Sequence, residues 1–121
     1  GTSSARNTQR GLSKDIVQFT APIYFAEEQE GVVKMDLMRM GACKGSCSVK
    51  YSTRDASGKA GERYNATSGV VEFADGVATA AIEVEIIDSR TWSATLEFSV
   101  LLTDPQGCTL GLYLKNCRVK V

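Results

Sequence analysis

Ala80, Ile82, Val84 and Ile86 alternate with Glu83 and Glu85. That period of two commits the segment to a strand with one apolar and one charged face. The same alternation recurs along the chain, in Val33, Met35 and Leu37, in Val49 and Tyr51, in Val71 and Phe73, and in Phe98, Val100 and Leu102. No segment sustains a helical period, so the chain must bury its apolar faces by packing one sheet on another.

Turn residues separate these runs, Asp75-Gly76 and Asp104-Pro105-Gln106-Gly107 among them. Ile16–Phe19 and Ile23–Ala26 read as one edge strand broken at Pro22, which lacks the amide proton a ladder needs; such a break suits a strand that changes sheets. Leu110, Leu112 and Leu114 continue into Cys117, Val119 and Val121 as a last strand with a change of face. Seven strands at this spacing predict an all-β, immunoglobulin-like antiparallel sandwich over residues 16–121. Residues 1–15 are polar and without period, and are expected to form a flexible leader or tag remnant.

Composition narrows the function. The 121 residues hold 14 basic and 14 acidic side chains, a formal net charge of zero that gives nucleic acid and anionic membranes no general attraction. No apolar run approaches the roughly 20 residues of a membrane span, so direct membrane insertion is not expected. Histidine is absent, which removes imidazole acid-base catalysis, Ser-His and Cys-His nucleophiles and His-containing zinc sites. With no other catalytic constellation apparent, the chain is not expected to be an enzyme.

The ordered motifs identify a family resemblance. Tyr24, Glu28 and Gly31 fit Tyr-x-x-x-Glu-x-x-Gly, and Thr53, Asp55, Ala60, Gly61 and Tyr64 fit a long turn-rich segment. They are followed by Gly69, Val71, Phe73 and Gly76, by Ile82, Val84, Ile86 and Asp88, and by Phe98, Val100, Leu102 and Pro105 before Leu110-Gly111. In order and spacing these resemble Calx-beta domains, modules of sodium/calcium exchanger regulatory loops and of an integrin beta subunit.

The resemblance implies a sandwich whose loops at one end bind calcium through carboxylates. Carried over residue by residue, Glu28 and Asp88 match the family's acids, but Arg63 stands where an Asp precedes the tyrosine. The following acidic cluster has become Asp88-Ser89-Arg90, its later acids fall on Ser93 and Leu96, and the family's terminal Asp run would lie beyond Val121. Two unit charges about 4 Å apart interact by roughly 4 kcal/mol at an effective dielectric of 20, so guanidinium in place of carboxylate turns attraction for a cation into repulsion. Arg63 and Arg90 are expected to pair with Glu28 and Asp88, leaving a vestigial site that binds calcium weakly or not at all; the rival reading makes all four solvated loop charges.

Three cysteines, Cys43 and Cys47 around a Lys-Gly-Ser turn and Cys108 before the last strand, are placed by the resemblance at the opposite end. A disulfide within CKGSC, or from either cysteine to Cys108, is a candidate whose pairing the sequence leaves open; zinc held by the three thiols is a weaker alternative. Cys117 alternates with Val119 and Val121 and is expected in the core. Asn65-Ala66-Thr67 is a glycosylation sequon, Trp92 is expected to lid the sandwich, and Lys115, Arg118 and Lys120 form a charged strand face. The expected role is a non-catalytic module of a larger membrane-associated or adhesion protein, extracellular or cytosolic, that contacts a protein partner or neighbouring domains. A calcium sensor cut short at its C-terminus is the alternative.

Overall fold

A computed structural model describes residues 14–88 and 96–121. Among the described residues nine strands run in chain order: β1 Asp15–Phe19, β2 Ile23–Phe25, β3 Val32–Met40, β4 Cys47–Asp55, β5 Ser68–Phe73, β6 Thr79–Glu85, β7 Glu97–Gln106, β8 Cys108–Leu110 and β9 Asn116–Lys120. They form a four-stranded sheet, β6-β3-β1-β8, and a five-stranded sheet, β2-β9-β7-β4-β5.

The expected count of seven becomes nine among the described residues because two segments expected as single strands each divide between the sheets. At Pro22, β1 ends in one sheet and β2 begins at the edge of the other, as the missing amide proton suggested; β1 itself lies inside its sheet, between β3 and β8. The carboxyl-terminal segment divides likewise into β8 and β9. Leu112, between them, is 76% exposed rather than part of an apolar strand face. Each division leaves a parallel pairing, β1 with β8 and β2 with β9, in an otherwise antiparallel sandwich. Pro105 does not end its strand either: β7 continues to Gln106 through a shift of register opposite Ser48 and Lys50, with Asp104 at a φ of 49°.

Alternation decides which side chains fill the space between the sheets. Val33, Met35 and Leu37 of β3, Ile82 and Val84 of β6, Val49 of β4, and Phe98, Val100 and Leu102 of β7 are buried together with Phe19, Phe73 and Val119. Burying a side chain of this size stabilises by about 1.5–3 kcal/mol. Cys117 is 1% exposed in this core, as its alternation with Val119 requires. Asp15, assigned to the leader by sequence, instead opens β1 and is buried.

Candidate functional site

Three segments meet at one end of the sandwich. The first is a 3-10 turn, Glu28–Glu30, in which the Glu30 carboxylate accepts from the Glu27 amide at 2.9 Å and Gly31 ends the turn at a φ of 79°. The second is the loop between β4 and β5, and the third is the end of β6 leading to Asp88. Main-chain bonds join them: the Ile86 amide donates to the Gly31 carbonyl at 3.0 Å, the Ile87 amide to the Arg63 carbonyl at 2.9 Å, and the Asn65 amide to the Glu85 carbonyl at 3.0 Å.

The β4–β5 loop is anchored by Tyr64. Its ring is 1% exposed and stacks on Phe98, centroids 4.0 Å apart and planes 12° from parallel. Its hydroxyl donates to Asp55 Oδ1 at 2.5 Å, and the same oxygen accepts from the Ala60 amide at 3.0 Å. Burial, reinforced by the Asp55 bond, pushes the Tyr64 phenol up to about 12, while the bond from Tyr64 holds the Asp55 carboxyl below its usual range. Asp55 is thereby occupied as a structural acceptor.

With Tyr64 fixed, Arg63 is directed to the neighbouring turn, where its Nη1 lies 3.9 Å from Glu28 Oε1, both side chains partly exposed. The structure thus brings Arg63 and Glu28 together. Asp88 is exposed at the end of the third segment, and Arg90 and Trp92 lie outside the described residues. Calcium takes six to eight oxygens, and among the described residues no three Asp, Glu, His or Cys side chains converge as a metal site. Asn65 is exposed, but its side-chain nitrogen, the atom a glycan would need, donates to Glu85 Oε1 at 2.7 Å.

Cys43, Cys47 and Cys108 lie at the far end, about 30 Å away along the nine residues of β3, whereas Cys117 sits in β9 opposite Val100. All four are free thiols. Beside them is a cluster absent from the sequence expectations. The Arg39 Nε donates to Asp15 Oδ2 at 2.6 Å, and the rest of its guanidinium donates to the carbonyls of Ala74, Lys44 and Gly45. Asp15 in turn accepts from the amides of Ala42 and Cys43. A signal existed: Arg39 continues the inward series Val33, Met35, Leu37, and a charge in that register requires a buried partner.

An immunoglobulin-like sandwich with a charged, loop-built end defines a class of small non-helical modules. A family model for the Calx-beta domain matches residues 13–114, and the chain belongs to the Calx-beta domain family. Sodium/calcium exchanger 1 of Rattus norvegicus is 23% identical over 92 residues, covering 75% of this chain and 10% of the exchanger. The chain therefore spans about a tenth of the length of the curated relatives it matches. Among solved structures, the apo form of the Calx CBD1 domain superposes with a TM-score of 0.84 at 24% identity, covering 89% of this chain and 96% of that one. The calcium binding domain CBD12 of CALX1.1 superposes with a TM-score of 0.81 at 25% identity, covering 86% of this chain and 44% of that one. Among the described residues no helix is long and apolar enough to cross a membrane.

Proposed function

We propose that this domain is a non-catalytic Calx-beta module in the extramembrane part of a larger membrane-associated protein, serving as a structural or docking unit. Its calcium end is degenerate and is held by charge pairing within the chain. The observation that carries the reading is the Arg63–Glu28 contact of 3.9 Å, which sets a fixed cation where relatives are expected to gather carboxylates around a mobile one. Tyr64 and the main-chain bonds among Gly31, Arg63 and Ile86–Ile87 support it, because they hold the loops together without a metal.

A calcium-sensing role is the second reading, favoured by the likeness to a solved protein described as a calcium binding domain. Calcium titration by calorimetry, combined with thermal melting, separates the two, since a ligand that binds only the folded state raises Tm by mass action. The degenerate module gives no binding heat and no shift at millimolar calcium. Stoichiometric heat with a rising Tm overturns it in favour of the sensor.

A further inference from the structure

At the end of the sandwich away from Glu28 and Arg63, two cysteines meet across the sheets. Cys47 opens β4 in the five-stranded sheet and Cys108 opens β8 in the four-stranded sheet. Both are buried, 5% and 2% exposed. Ser48 pairs with Gln106, so the chain leaving β7 turns back directly over Cys47. Gly107 makes that turn at a φ of 77°, and a Cβ placed on it would lie 3.3 Å from the Cβ of Cys47. The Cys108 Sγ then comes to 3.5 Å from the carbonyl oxygen of Ser48, the residue next to Cys47. An open cleft of about 570 Å3, lined by Cys47 with Ser46, Ser48, Phe73, Gln106 and Gly107, gives a small molecule an approach to the first thiol.

We propose that Cys47 and Cys108 are a redox-controlled pair that closes to an inter-sheet disulfide, with glutathione disulfide or another low-molecular-weight disulfide as oxidant. The Cys47 thiolate attacks one sulfur of the oxidant from the cleft, and the first glutathione leaves as a thiolate that takes up the proton Cys47 lost. The Cys108 thiolate then attacks the Cys47 sulfur of the mixed disulfide and expels the second glutathione, which takes up the Cys108 proton. Two protein thiols are oxidised to one disulfide, and one glutathione disulfide is reduced to two thiols.

The environment separates this pair from the other cysteines. Burial and the adjacent Cys47 thiol push the Cys108 thiol up to about 11, against the opposing charge of Arg39, so it stays a quiet thiol until a mixed disulfide forms beside it. Cys43 is half-buried and its thiol donates to the Arg39 carbonyl at 3.7 Å. Cys117 is buried on β9 and pushed up to about 12 by its burial.

The disulfide would link positions about 60 residues apart and join two sheets, so it restricts the unfolded chain strongly. The test is to incubate the reduced, folded chain with glutathione disulfide, alkylate the remaining thiols, and map peptides without reduction. A Cys47–Cys108 cross-linked peptide is expected, with a Tm about 10 °C above that of the reduced chain and reversal by dithiothreitol. Cys43→Ser keeps the cross-link, and Cys108→Ser stops at a glutathione adduct on Cys47. A cross-link that uses Cys43, or thiols that react only after the chain is unfolded, overturns the proposal. The mapping is made on the unaltered chain, so misfolding of a variant does not blunt it.

Discussion

Arg39 and Asp15 form an ion pair of 2.6 Å whose side chains are 1% and 9% exposed, and it fastens the beginning of β1 to the end of β3. Each partner also closes main-chain groups of the turn that follows β3: the guanidinium takes the carbonyls of Lys44 and Gly45, the carboxylate the amides of Ala42 and Cys43. The cluster therefore holds the cysteine-bearing end together, as Tyr64 holds the other.

Removing one partner leaves the other charged and unpaired, so Asp15→Ala should lower Tm by about 10 °C or more. Arg39→Lys should be nearly as harmful, because an ammonium cannot reach the same set of carbonyls as a planar fork. Gly41→Ala should behave alike: its φ is 136°, and an added Cβ would collide with the Asp15 carboxylate. Thermal melting followed by circular dichroism checks all three, and a shift within 2–3 °C of wild type, about what an ordinary surface substitution gives, would remove the cluster's assigned role.

Acid should weaken the fold through three carboxylates held below their ordinary range: Asp15 by the Arg39 hydrogen bond, Asp55 by that of Tyr64, and Glu97 by that of Arg118. Each folded value is depressed, so the unfolded chain binds protons more readily. The stabilisation is present above the unfolded carboxylate values, near pH 4, and is lost as pH falls through the folded ones. Urea midpoints measured downward from pH 6 should decline below about pH 4, and Asp15→Asn should decline less steeply.

Alkali should act through Tyr64. Its phenol is raised from 10.0 to about 12 by burial first and the Asp55 bond second. Stability from the neutral phenol is therefore complete below the unfolded value and is lost as pH rises from about 10 through 12. Ultraviolet titration of tyrosinate should show one phenol ionising late. Tyr64→Phe should abolish that late step and cost about 1 kcal/mol at neutral pH for the lost hydrogen bond.

Reversing the charge at position 63 tests the proposed degeneracy of this end directly. Arg63→Asp removes the guanidinium beside Glu28 and supplies the acid that the Calx-beta pattern carries there. Its Tm without calcium should change by only a few degrees, since partly exposed pairs contribute under about 1 kcal/mol, but millimolar calcium should now raise it. A variant whose Tm does not respond to calcium would mean that Arg63 does not by itself decide whether the ion binds.

The alternation of Ala80, Ile82, Val84 and Ile86 with Glu83 and Glu85 determined by itself that the chain forms strands with one buried face. The ordered motifs from Tyr24, Glu28 and Gly31 through Phe98, Val100, Leu102 and Pro105, each of them short, together identified the family. Those are local properties, because side-chain period and turn chemistry act between residues a few positions apart. Pro22 announced the first change of sheet, but only the tertiary structure decided that the described strands number nine, since the second change, after Leu110, depends on which partner strand the segment finds. It alone turned Asp15 from a leader residue into the partner of Arg39, 24 positions away, and set Cys108 over Cys47. Pairings at that separation are fixed by the register of sheets, and no pattern within either segment contains it.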